Sequence, residues 1–209
     1  MMNSICDYLD EIIPNPVCEL NYAHDYELLI ATVLSAQCTD KRVNETTKVL
    51  FNKYVSLEEL NDAEINDIKE IIRPCGSFNK KSEYIKEIVK KLIEEQNSKV
   101  PNDYEYLITL PGVGRKTINV VLSELFNTPT IAVDTHVERV SKRLNLVKNS
   151  DNVLNIEKKL MKKIDKEKWN RVNHQLVLFG RYFCKAKNPN CKDCKLKKEC
   201  KFYEKNIKS

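Results

Sequence analysis

Glycine and proline are scarce in this chain, four and seven of 209 residues. So few turn-forming residues argue against a turn-rich β protein and favour helices. Nowhere does an apolar run approach the roughly 18 residues that a membrane-spanning helix needs. The opening, MMNSICDYLDEII, has no basic segment leading into an apolar stretch, so no secretory signal is expected. Nor is it rich in arginine, as an organellar transit peptide would be. These absences predict a cytoplasmic protein. No repeat and no low-complexity linker interrupts the chain. Its 42% hydrophobic and 31% charged residues are an ordinary globular balance, in a length that suits one large domain or two small ones.

What is present is helical periodicity. Leu28, Leu29, Val33 and Leu34 mark a helix near 26–36. Val43, Thr47, Leu50, Phe51 and Tyr54 mark the next, entered through Thr39 and Asp40. Ser56 with Glu59 forms a possible capping box. Ile65, Ile68, Ile71 and Ile72 line another helix, which Pro74 and Gly76 end. Ile85, Ile88, Val89, Leu92 and Ile93 recur at the same spacing, and Tyr104 to Leu110 reads as one or two turns. Ile118, Val121, Leu122 and Leu125 line a helix starting near Gly114 or Arg115. TIAV (130–133) passes for a strand, but Asp134 and Thr135 look like a helix cap. Val137, Val140 and Leu144 follow at helical spacing, then Val153, Ile156, Leu160 and Ile164. A last helix is predicted from about Lys168 towards Cys184. The predicted class is all-α.

The net charge of +5 is mild, but residues 181–208 hold ten Lys or Arg against three Asp or Glu. This is either a solvated tail or a phosphate-facing surface. Of the eight cysteines, those at 6, 18, 38 and 75 are scattered and read as small apolar residues or bystanders. The other four, Cys184, Cys191, Cys194 and Cys200, fall in a C-x6-C-x2-C-x5-C pattern. In a reducing compartment such clustering points to a metal centre. Spacing alone leaves zinc and iron–sulfur both open.

Residues 110–117 read LPGVGRKT. The ending resembles a nucleotide-binding loop, but that loop needs four residues between its glycines and a strand before it. Here one residue separates Gly112 from Gly114, and a helix precedes. The pattern instead suits a helix–turn–helix whose glycines let the backbone approach a ligand closely. The first turn of the following helix offers unpaired N–H groups to a phosphate. A plain turn with an incidental lysine fits equally well. Lys116 sits against the helix dipole and beside Arg115, which disfavours its ammonium form. A neutral amine is a nucleophile able to form a Schiff base. Asp134 fits an N-cap, the commoner role of an isolated Asp before a helix, and it also fits a carboxylate that assists such an amine.

Together, LPGVGRKTINVV, PTIAVDTHVERV, LSAQCTDKRVN (34–44) and the cysteine tail resemble the helix–hairpin–helix DNA glycosylase and AP lyase family over nearly the whole chain. The resemblance implies two helical lobes. One is a six-helix domain over 18–128. The other joins residues 1–17 to 129–209 and carries a 4Fe-4S cluster on Cys184, Cys191, Cys194 and Cys200, mainly for structure. It further implies a monomeric, nucleoid-associated enzyme acting on double-stranded DNA with damaged bases or abasic sites, and no membrane partner. Such an enzyme releases oxidised pyrimidines and then breaks the strand by β-elimination. Lys116 would be the nucleophile and Asp134 its helper.

The DNA contacts implied are Gln37, entering the gap left by the flipped nucleotide, Gly112, Gly114 and Arg115 on the backbone, and Lys185 and Lys187 on the cluster loop. Ser35 and Asp40 flank Gln37 and, with His136, are weaker pocket candidates. For His136, as for His24 and His174, a surface or capping role is an alternative. In CGSFNKKSEYI (75–85) the family usually has a bulky apolar wedge where this chain has Ser77. Phe78 takes over that role, or strand opening relies on Gln37 and Asn79. Phe78 also fits a core position. Two alternatives from other branches are a mismatch glycosylase for thymine or adenine and a non-catalytic iron–sulfur DNA-binding protein. The adenine branch lacks the hairpin lysine and generally carries a further C-terminal domain. A non-catalytic protein would need neither Lys116 nor Asp134.

Overall fold

The computed structural model describes residues 2–206. Its regular elements are all helical. Twelve α-helices follow in order among the described residues: α1 (Met2–Ile12), α2 (Asp25–Leu34), α3 (Asp40–Lys53), α4 (Leu57–Asp62), α5 (Ile65–Ile72), α6 (Phe78–Gln96), α7 (Tyr104–Leu107), α8 (Arg115–Phe126), α9 (Thr135–Arg143), α10 (Val153–Lys163), α11 (Trp169–Leu178) and α12 (Lys201–Asn206). Short 3₁₀ turns cover Arg73–Cys75, Lys166–Lys168 and Lys195–Lys198, and a π turn covers Phe179–Phe183. The TIAV segment forms no strand and leads directly into α9. The chain divides into two compact units. One is Glu19–Phe126, and the other combines the residues up to Cys18 with those from Asn127 onward.

In the unit Glu19–Phe126, α2 is the central helix. Every residue from Tyr26 to Leu34 is buried, as expected for a helix enclosed on all sides. Its start is fixed by Glu27, whose carboxylate turns back to accept the N–H groups of Ala23 (2.6 Å) and His24 (3.3 Å). The helices α3, α6 and α8 pack against it. Hydroxyl and carboxylate caps delimit the surrounding helices. Ser56 Oγ accepts from Glu59 N at 3.1 Å, and Glu59 Oε2 accepts from Val55 N at 2.9 Å. This is the predicted reciprocal box, shifted by one residue on its return bond. Asp103 caps α7 through two N–H groups. The longest helix, α6, ends at Asn97, which takes the left-handed conformation (φ 51°) that suits asparagine at a helix end.

In the other unit the core gathers Ile5 and Leu9 of α1, Val137 and Val140 of α9, Leu176 of α11, and Phe179. Phe179 stacks on Phe183 with centroids 5.1 Å apart and meets Tyr8 edge-on at 6.3 Å. A salt bridge adds to this apolar seam. Asp10 on α1 accepts from Arg171 Nε and from Gln175 Nε2, each at 2.8 Å, on α11. At Gly180 a Cβ would lie 2.8 Å from His136 Cβ and 3.1 Å from Val140 Cγ2. Only glycine lets the π turn pack this closely on α9. The predicted last helix is thus three consecutive pieces, a 3₁₀ entry, α11 and the π turn that delivers Cys184.

Candidate active site and nucleic-acid interface

The LPGVGRKT segment is the turn between α7 and α8. Val113 N bonds back to Leu110 O at 3.2 Å, and Ile118 N reaches Gly114 O at 3.0 Å as α8 begins. Gly112 has φ 73°, a conformation that glycine takes without penalty. Gly114 has nothing within 4 Å of where a Cβ would sit, so its surface is open. The first turn of α8 holds no acidic residue. The partial positive charge of its N-terminus is therefore reinforced by Arg115 and Lys116. Exposed Arg115 lies along Tyr104, with its guanidinium 5.8 Å from the ring centroid and Nη1 3.3 Å from the hydroxyl. Lys116 is half-buried. Its ammonium makes no ion pair or hydrogen bond among the described residues.

Asp134 is the N-cap of α9. Its Oδ1 accepts from both His136 N and Val137 N at 2.8 Å. The second oxygen, Oδ2, has no partner among the described residues. One carboxylate can thus cap the helix and keep an oxygen for chemistry. The His136 ring is half-buried, and its Nδ1 lies 3.2 Å from Arg139 Nη2.

Gln37 sits in the turn between α2 and α3, exposed and with φ 57°. Ser35 closes α2 and donates from Oγ to Thr32 O at 2.8 Å, whereas Asp40 opens α3. Ser77 is likewise exposed with φ 49°, directly after Gly76 at φ 67°. Phe78 is half-buried at the first position of α6, with the Arg73 guanidinium 5.5 Å from its ring centroid, and Asn79 beside it is exposed.

The four tail cysteines line one small, open cavity, with Phe179 and Phe183 on its apolar wall. Burial pushes the Cys194 thiol up to about 11, and its cysteine neighbours add to the rise. Burial likewise raises Cys191, helped by Cys184 and Cys200. No three His, Cys, Asp or Glu side chains among the described residues converge tightly enough to hold one metal ion. Lys185 and Lys187 are exposed on the loop between the first two cysteines.

Two residues that sequence reasoning missed hold this loop. Arg143 donates to Lys185 O (2.7 Å), Ala186 O (3.1 Å) and Cys184 Sγ (3.3 Å), with its guanidinium 4.1 Å from the Phe202 ring centroid. Arg139 donates to Gly180 O at 2.6 Å and Cys184 O at 3.3 Å. Their partners are mostly main-chain carbonyls, which leave no trace in residue types.

The family model for HhH-GPD superfamily base excision DNA repair proteins matches residues 30–166, a span that contains the hairpin, Lys116 and Asp134. The chain belongs to the HhH-GPD superfamily of base excision DNA repair proteins. Among relatives in that family, endonuclease III of Bacillus subtilis (strain 168) is 45% identical over 202 residues, covering 97% of this chain and 92% of that protein. The superfamily fold is equally clear in solved structures. A non-covalent endonuclease III–DNA complex superposes with TM-score 0.96 at 44% identity, covering 100% of this chain and 97% of the other. A trapped endonuclease III–DNA covalent intermediate gives 0.94 at 45% identity, covering 98% and 96%. No helix among the described residues is long and apolar enough to cross a membrane.

Proposed function

We propose that the protein is a bifunctional DNA glycosylase and AP lyase that removes oxidised pyrimidines from double-stranded DNA, acting as a monomer. One observation carries the chemistry: a half-buried lysine without a counter-ion stands in the first turn of α8, beside a glycine turn open to a ligand backbone. In this reading Gly112, Gly114 and Arg115 grip a phosphate through backbone N–H groups and charge, which positions the strand without reading its sequence. The target nucleotide leaves the stack, at a cost of a few kcal/mol that is smaller for a damaged base. Gln37 fills the vacated place, and Ser77, Phe78 and Asn79 face the opened strand. Ser35, Asp40 and His136 are the further candidates for contacts to the flipped base. Lys185 and Lys187 add phosphate contacts from the cysteine loop.

Lys116 Nζ attacks C1′, and the C1′–N bond to the base breaks. The C1′–O4′ bond then opens as O4′ takes up a proton, leaving a protonated Schiff base between Nζ and C1′; on an abasic site the sugar aldehyde and Nζ condense to the same species with loss of water. The C2′ proton is then acidic, and its removal expels the 3′ phosphate oxygen. Asp134, through the oxygen not used in capping, assists deprotonation of the amine or stabilises the cationic sugar. Cys184, Cys191, Cys194 and Cys200 would hold a 4Fe-4S cluster. All four line one cavity, and the family resemblance favours iron–sulfur over zinc there. When bound, the cluster supplies a structural clip for the loop that carries Lys185 and Lys187.

The test is borohydride trapping on duplex DNA containing thymine glycol or an abasic site. The parent should form a covalent complex, and Lys116→Ala should abolish it while binding persists. Parent-like cleavage by Lys116→Ala would refute the mechanism. Preference for thymine opposite guanine over thymine glycol would move the protein to the mismatch branch.

A further inference from the structure

Lys81, in the first turn of α6, is 5% exposed, although lysine is almost never buried without a partner. Its Nζ donates to Leu34 O at 3.0 Å, Ala36 O at 2.8 Å and Cys75 O at 2.9 Å. These three bonds use every proton of the ammonium. No carboxylate pairs with it among the described residues. The acceptors are the last carbonyl of α2 (Leu34), that of Ala36 in the turn just after it, and the last carbonyl of the Arg73–Cys75 turn. These helix ends carry partial negative charge, so dipoles take the place of a counter-ion. Burial pushes the Lys81 ammonium down from its usual range, which shows that desolvation is felt and that the carbonyls must offset it.

The two segments joined this way share a further feature. One residue after Ala36 comes Gln37 (φ 57°), and two after Cys75 comes Ser77 (φ 49°). Both are exposed, and neither side chain makes a hydrogen bond among the described residues. A left-handed backbone at a non-glycine residue is strained, and such strain concentrates where function needs it. Two strained, unpartnered, exposed residues are thus hung on either side of one buried ammonium.

We propose that Lys81 is a positioning residue that fixes the spacing of the Gln37 and Ser77 turns, so that the two enter an opened duplex as one unit. The proposal rests on the DNA-glycosylase reading and deepens it. Lys81 touches no DNA; it acts through the two turns. A residue of this kind matters where paired strands must be forced apart and the facing nucleotide displaced. It matters little where that nucleotide is already missing.

The test compares two abasic-site DNAs, an intact duplex and one lacking the nucleotide opposite the site. Single-turnover cleavage is measured for the parent and for Lys81→Met, which keeps a long stem without donors. Rates are normalised to the borohydride-trapped amplitude, so the folded fraction cancels. Lys81→Met should lose roughly ten- to a hundredfold on the intact duplex, the scale of a small misplacement, and stay near the parent on the gapped DNA. Lys81→Arg should recover part of the duplex rate. If Lys81→Met does not fold, the same ratio for Lys81→Arg decides. An equal loss on both DNAs, or no loss on either, overturns the proposal. A parent that cleaves neither DNA overturns the repair reading itself, and this proposal with it.

Discussion

Asp134 holds two positions at once, helix cap and proposed catalytic carboxylate, and two substitutions separate them. Its Oδ1 accepts two backbone N–H bonds at 2.8 Å each. Asparagine presents an amide oxygen in the same place and ranks with aspartate as a cap. Asp134→Asn should therefore melt within a degree or so of the parent. Asp134→Ala leaves both N–H groups without their acceptor. Loss of such a cap costs about 1 kcal/mol, range 0.5–2, which for a chain of this size lowers Tm by roughly 2–4 °C. The chemistry should respond differently. Both variants lose the carboxylate charge, and a positioned acid–base group contributes roughly 10²–10⁴ in rate. Single-turnover cleavage of abasic duplex should fall by that factor in both, while the melting temperatures differ. Thermal melts and borohydride trapping on the same preparations decide it. Parent-like cleavage by Asp134→Asn would show that Asp134 serves only as a cap. A melting temperature for Asp134→Asn as low as that of Asp134→Ala would refute the capping geometry.

The two hairpin glycines should respond differently to alanine. Gly112→Ala must hold φ 73° and crowds the Tyr84 ring, with Cε2 2.8 Å away, so urea denaturation should show a loss of roughly 1–3 kcal/mol. Gly114→Ala meets nothing within 4 Å; its stability should hold while DNA affinity falls, and unchanged affinity would refute a close backbone approach. Arg143→Met removes the bonds to Cys184 Sγ, Lys185 O and Ala186 O, so the iron-to-protein ratio and visible colour should drop and DNA binding weaken. An unchanged iron content would sever the loop from the cluster. The Asp10 carboxyl is held below its usual range by Gln175 and Arg171. Its contribution is present above the unfolded value of about 4 and is lost as pH falls through the folded value. The Tm gap between parent and Asp10→Asn should therefore shrink on acidification from neutral pH, and a constant gap would contradict this.

The helical frame was legible because it rests on apolar periodicity and on side-chain caps, both properties of residue type. Leu28, Leu29, Val33 and Leu34 announced α2, and Ser56, Glu59 and Asp134 announced helix starts through the groups they use. The hairpin was legible from Gly112, Pro111 and Gly114 for the same reason. What escaped was long-range and main-chain. Lys81 lies in the charged stretch FNKKSEYIKE, yet two of its three carbonyl partners are 45 and 47 residues away. Arg139 and Arg143 occupy an outwardly polar helix and bond to carbonyls from 41 to 45 residues downstream. The left-handed turns at Gln37 and Ser77 escaped too, since neither residue type favours that conformation. The π turn at Phe179–Phe183 gave no signal, because its apolar spacing continues that of α11.

These missed residues follow one rule of placement. Lys81, Arg139 and Arg143 direct their charge at backbone carbonyls, and each joins segments distant in the chain. A carbonyl acceptor stabilises a buried cation without adding a negative group that would repel DNA. A carboxylate would hold the same loop but would cancel the positive surface near it. Lys185 and Lys187 are exposed with no ion pair among the described residues, which leaves them open to a ligand. The division is thus between cations spent inside the protein on shape and cations left outside for phosphate. It accounts for a chain whose net charge is only +5 yet whose α8 N-terminus and cysteine loop are both basic. Replacing an internal cation with a neutral residue should therefore disturb loop spacing first and DNA affinity second. Replacing Lys185 or Lys187 should reverse that order, weakening binding and its salt dependence while leaving the melting temperature unchanged.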